Sequence, residues 1–224
     1  MNKILKIAFT SLLGCTCLLC CESTTGFAES VTTSAPSVVT EMIPGYDTKA
    51  PTTFTIQPVP LHTAEIVNRL NPSNPKKTGI DVLKFLHPTY SQGELSNMTA
   101  TFDESLSYLT NQKVKFTKIN KPLDSETILN ELKQKRPVLV HLKATSNYWL
   151  EPESAVIIYG FQSYNFPGVP PMTMYLARSL NHQDNPIVVG SETNYDLLLS
   201  EKGRDPSIKN VFYKWDSTAY GFTK

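Results

Sequence analysis

Two β-branched apolar runs stand out along this chain, Val138-Leu139-Val140 and Ala155-Val156-Ile157-Ile158-Tyr159. Pro137 opens the first, a polar connection separates them, and Gly160 is expected to end the second, so both read as buried strands of one sheet. Upstream the period is helical. Thr63 to Leu70 places Ile66, Val67 and Leu70 on one face, and Asn71-Pro72 stops it. Ile80 to Leu86 predicts a second helix ended by His87-Pro88. Thr101, with Glu104 in the capping-box position, opens a third through Leu109. Asp124 or Ser125 caps a fourth through Ile128, Leu129 and Leu132. Val114 to Ile119 alternates as a strand, and further strands are expected at Met172 to Leu176, Pro186 to Val189 and Val211 to Trp215. Helices come first and strands follow without βαβ alternation, which predicts an α+β fold with an antiparallel sheet.

The first residues follow a different pattern. Lys3 and Lys6 precede an apolar stretch from Ile7 to Cys21, and Gly26-Phe27-Ala28 supplies small residues around a cleavage point before Glu29. Residues 1–28 therefore read as a signal peptide, and the protein as secreted. The apolar stretch is shorter than the roughly 20 residues a membrane span needs, and no other run is longer. Leu12-Leu13-Gly14-Cys15 is close to a lipobox, so a lipid anchor at Cys15, holding the chain at the cell surface, is the alternative. Residues 29–57 are rich in Ser, Thr and Pro and predict an exposed linker, leaving residues 58–224 as one domain.

Cysteine usage narrows the chemistry. All four cysteines (Cys15, Cys17, Cys20 and Cys21) lie in the leader, so the chain from Glu29 onward has no disulfide, no thiol nucleophile and no thiolate metal ligand. Its core must hold it together. With Lys3, Lys6 and Glu22 set aside, acidic and basic side chains are equal in number, and no basic stripe carries interleaved aromatics. Nucleic acid is not an expected partner. His87, His141 and His182 lack metal-ligand spacing and are expected to cap, pack or meet solvent, so neither metal nor cofactor is expected.

Four short motifs then occur in one order. Leu83-Lys84-Phe85-Leu86-His87-Pro88 is similar to a helix-ending R-F-L-H-P, and Lys135-Arg136-Pro137-Val138-Leu139-Val140 to a strand entered after G-x-P. Ser154-Ala155-Val156-Ile157-Ile158-Tyr159-Gly160 is similar to H-A-x-x-V-x-G, and Tyr213 to Phe222 to a closing Y-x-W-x-S-S-x-Y-G-Y. With these motifs the chain resembles the staphopain family of secreted bacterial cysteine peptidases, a branch of the papain-like fold. The resemblance implies an N-terminal helical half packed on a C-terminal antiparallel sheet half.

It also implies where that family's catalytic groups would stand. The cysteine position falls within Pro58 to Thr63, the histidine on Ser154 and the asparagine near Ala177-Arg178, while Gln57 lies too close to serve as the oxyanion glutamine. No catalytic residue carries over, and losing the nucleophile leaves little beyond binding. The expectation is a secreted, catalytically inactive papain-like pseudo-peptidase that binds an unidentified peptide or protein. Its vestigial groove positions would be Val59, His62, Thr63, Ser154, Ala177 and Arg178, with Tyr148, Trp149, Glu151 and Glu153 on the rim. Thr63 reads first as the N-cap of the opening helix. One alternative is a hydrolase using Ser154 or Thr63 with His62, positions that face each other across a papain-like groove. Another is a surface-anchored structural module on a Ser/Thr/Pro stalk.

Overall fold

The computed structural model describes residues 37–46, 58–144, 153–169, 172–178, 187–189, 198–201 and 211–224. The expected signal peptide and cleavage point and Cys15 lie outside the described residues, as do Tyr148, Trp149, Glu151 and His182. In chain order the elements are β1 (Ser37–Met42), α1 (Pro58–Leu70), α2 (Gly79–Leu86), α3 (Gln92–Leu95), α4 (Phe102–Asn111), β2 (Lys115–Ile119), α5 (Ser125–Lys133), β3 (Val138–Ala144), β4 (Glu153–Asn165), β5 (Met172–Arg178), β6 (Ile187–Val189), β7 (Leu198–Glu201) and β8 (Val211–Thr223). The fold is α+β: β1 precedes the helices, β2 lies between α4 and α5, and the sheet is ordered β2-β8-β3-β4-β5-β6. Strand β1 pairs with the second half of β4, and β7 with the start of β8. Every pairing among the described residues is antiparallel.

The helix starts show why local sequence was informative. Thr101 accepts the Glu104 backbone N–H at 3.3 Å while Glu104 Oε2 accepts the Thr101 N–H at 2.8 Å, the expected capping box of α4. Thr78 with Asp81 and Ser91 with Glu94 close two further boxes, on α2 and α3. Asp124 caps α5 by accepting the Thr127 N–H at 2.8 Å. Helix α1 departs from expectation, since it begins at Pro58 and Thr63 lies within it. Pro58 and Pro60 both sit in its first turn, where a missing N–H costs nothing because no intrahelical carbonyl is there to receive it. Thr63 therefore caps nothing; its hydroxyl donates back to the Val59 carbonyl at 2.8 Å.

Two expectations about extent are corrected. Ser37–Met42, inside the stretch read as a linker, is a strand in register from Ser37 opposite Asn165 to Met42 opposite Gly160. The residues behind it enter the core, where Ile43 and Tyr46 are buried. A six-residue segment with little period of its own is recruited because β4 offers it a free edge. Strand β4 itself runs past Gly160 to Asn165. Gly160 marks an irregularity in the pairing with β5, where a Cβ would stand 2.9 Å from Leu176 Cβ. Glycine there permits a close approach and does not end the strand.

Strand β3 is central, and Val138 to Leu142 are buried on both faces. Side chains alternate between the two faces of a strand. Along the regular β3–β4 ladder Glu153, Ala155 and Ile157 therefore share one face, and Ser154, Val156 and Ile158 the other. Arg178, opposite Ile157, belongs to the face of Glu153.

Candidate functional site

Helix α1 and β5 meet through a carboxylate. Glu65 Oε2 lies 2.8 Å from His62 Nδ1, one helical turn back, and Glu65 Oε1 lies 3.0 Å from Arg178 Nη2. Burial pushes the Glu65 carboxyl up, but the His62 contact and the Arg178 charge outweigh it and hold the group below the ordinary glutamate range. Tyr46 stacks on Tyr159 with ring centroids 5.7 Å apart, and the Arg69 guanidinium sits 5.2 Å from its ring centre. Burial, and then the nearby Glu65 charge, push the Tyr46 hydroxyl far above the usual tyrosine range.

These contacts decide how the expected groove positions relate. His62 and Arg178 do come together, joined by Glu65. Val59, His62, Thr63, Ser154 and Ala177 are all buried, so none of them lines an open groove, and the seam that His62 forms with Glu65 and Arg178 is packed. The Ser154–His62 pair considered from sequence is corrected by strand alternation. Ser154 lies on the face opposite to Arg178, and hence opposite to the side where Glu65 fixes His62. Nor is Thr63 set up as a nucleophile, because its proton is given to the Val59 carbonyl.

A second group assembles on the Glu153 face. Glu153 was expected on a groove rim in a solvated loop; it is instead the first residue of β4, and its carboxylate is committed. Its Oε2 accepts the Phe102 backbone N–H at 3.0 Å, at the start of α4, and lies 3.1 Å from His141 Nε2. That imidazole contact is at ion-pair distance without the alignment of a hydrogen bond. The other nitrogen, His141 Nδ1, lies 3.0 Å from Ser217 Oγ and 3.2 Å from Asp216 Oδ2, both on β8. Phe102 stacks on the imidazole, centroids 4.6 Å apart and planes 10° from parallel. Lys143 Nζ lies 3.1 Å from Asp216 Oδ1. Contact with His141 lowers the Glu153 carboxyl below its usual range, more than burial raises it. For Asp216 burial works upward, but Lys143 and His141 leave the net shift downward.

These side chains line a cleft of about 330 Å³ with Lys118 and Asn120. His141 and Ser217 are buried, while Lys143 and Asp216 reach solvent. The arrangement offers a hydroxyl, an imidazole and a carboxylate in sequence, with cationic groups beside them. Among the described residues no group of three or more His, Cys, Asp or Glu side chains is placed to hold a metal ion.

The sequence predicts only that His141 caps, packs or meets solvent, and it does not single out Asp216 or Ser217. One signal was present: a histidine inside the apolar run Val138-Leu139-Val140-His141-Leu142 must find polar partners once the strand is buried. Which partners it finds depends on the β3–β8 register, which shifts between His141 and Leu142. Compared with protein-family models and with curated proteins, the chain matches none. Among the described residues no helix is long and apolar enough to cross a membrane.

Proposed function

We propose that the chain is a secreted papain-like domain of the staphopain type, inactive as a thiol peptidase, that binds an extended peptide or protein segment. The single observation that carries the reading is that every cysteine precedes Glu29, so no thiolate is available at the start of α1. A cluster of helices followed by the long antiparallel strands β3, β4, β5 and β8 supports a papain-like arrangement. The matched positions support loss of chemistry, since Thr63 is bonded to Val59 and Arg178 to Glu65.

Binding by strand pairing needs no nucleophile. Burial of Val59, His62 and Ser154 moves attention from the groove to β1, where Val38, Val39 and Met42 are exposed and, among the described residues, β4 is the only pairing strand. An exposed apolar strand edge accepts an extended segment through backbone hydrogen bonds.

The test is capture and turnover on one sample. The secreted form is incubated with a peptide library, and culture supernatant is passed over the immobilised protein. Retention of a peptide or protein without cleavage is expected, and is lost when Thr40→Pro removes a backbone donor from the edge of β1 that faces away from β4. Thiol-inhibitor-sensitive cleavage would sink the reading. The intact mass of the secreted form separates a start at Glu29 from a lipidated Cys15.

A further inference from the structure

We propose that Ser217, His141 and Glu153 form an acyl-transfer site in the polar cleft, separate from the papain-like positions and taking a small polar ester. Three geometric facts carry this. Ser217 Oγ is within hydrogen-bond distance of His141 Nδ1 at 3.0 Å, the contact a hydroxyl needs to pass its proton to a base. The opposite ring nitrogen lies 3.1 Å from Glu153, at ion-pair distance without hydrogen-bond alignment, so the carboxylate acts on the imidazole by its charge while Ser217 meets the other nitrogen. The third group is itself held: the Phe102 N–H fixes Glu153 at 3.0 Å and the Phe102 ring fixes the plane of the imidazole. A buried polar cluster that only stabilised the fold would not require a cleft. This one lines a space of about 330 Å³.

Asp216 also approaches His141 Nδ1, at 3.2 Å, but Lys143 engages its other oxygen at 3.1 Å and balances its charge. The step requires the tautomer with the proton on Nε2, which leaves the Nδ1 lone pair facing Ser217 Oγ. Oγ then attacks the ester carbonyl carbon, forming a C–O bond while its proton passes to Nδ1 and the carbonyl π pair moves onto oxygen. Lys118, whose ammonium also pairs with Asp103, and the Asn120 amide line the same cleft as donors toward that oxyanion. Collapse breaks the bond to the leaving alkoxide, which takes the proton from His141. Water, deprotonated by Nδ1, repeats the sequence, releases the carboxylic acid and returns the Ser217 hydroxyl. Charged groups of both signs around a small cleft favour short polar acyl groups over long apolar chains.

The experiment labels the full chain with a fluorophosphonate and maps the adduct by peptide mass, which needs no variant at Ser217. An adduct on Ser217 is expected, formed about 100-fold more slowly in His141→Gln, at the low end of what a general base supplies. Glu153→Gln keeps an acceptor for the Phe102 N–H, and as a positioning change it should displace the pH profile of labelling while leaving the thermal midpoint near that of the parent. Ser154→Ala and Thr63→Ala should label at the parental rate. No adduct on Ser217 in folded protein, or equal rates with and without His141, would overturn the proposal. Failure to capture a peptide leaves this result untouched, so the two readings fail separately.

Discussion

Glu131 grips Arg136 with two parallel contacts, Nε to Oε2 at 2.7 Å and Nη2 to Oε1 at 2.6 Å, and the same Oε2 accepts the Gly221 backbone N–H at 3.0 Å. One carboxylate thereby ties α5 to the entry of β3 and to the end of β8. It is nearly buried, whereas Arg136 retains some exposure. Glu131→Ala should cost roughly 2–4 kcal/mol, because removing one member of a largely buried pair strands the other and frees a buried N–H. Urea unfolding followed by tryptophan fluorescence measures it. A loss below about 0.5 kcal/mol would mean that the contact is no stronger than a surface ion pair.

The acid side of the stability profile follows from three carboxylates. Glu65, Glu153 and Asp216 are all held below their ordinary values of 4.5, 4.5 and 3.8. A group depressed in the folded state contributes stability that is complete above its unfolded value and is lost as pH falls through its folded one. Urea midpoints measured from pH 7 down to 3 should stay level above about pH 5 and decline below about pH 4.5. Glu65→Gln should make that decline shallower and lower the plateau, because His62 and Arg178 then share no counter-charge. An unchanged slope would remove Glu65 from the account.

Gly160 offers a steric test. With a Cβ 2.9 Å from Leu176 Cβ and 3.1 Å from its Cγ, Gly160→Ala should destabilise by roughly 1–3 kcal/mol. Leu176→Ala in the same background removes the Cγ contact but not the Cβ one, so it should recover only part of the loss. Thermal melts of the single and double variants give the coupling directly. Full tolerance of alanine would show that the strands separate more easily than their register suggests.

How far local sequence reached depends on what each feature needed. The caps at Thr101 and Asp124 were legible because a cap is satisfied within one turn of its own helix. The exits of α4 and α5 were not. Both pass through a lysine in the left-handed region, Lys113 at φ 60° and Lys135 at φ 59°, where glycine would be the usual signal. Tertiary anchors hold the Lys135 turn, since its Nζ reaches Glu41 at 2.5 Å and the next residue is gripped by Glu131. His62 is conspicuous in the sequence, but its pairing with Glu65 depends on α1 beginning at Pro58, which puts both residues on one helical face.

By itself the sequence determined the α+β class, the buried runs of β3 and β4, and the lack of any cysteine after Cys21. Each of these follows from residue type and short-range period. Tertiary structure alone decided that Ser37–Met42 joins the sheet, that Ser154 faces away from α1, and that Glu153, His141 and Ser217 meet. Strand faces alternate every residue, and ladders on both sides of β3 set the register. A single-residue slip in either ladder would exchange every one of those neighbours, and no local pattern records which register the assembled core selects.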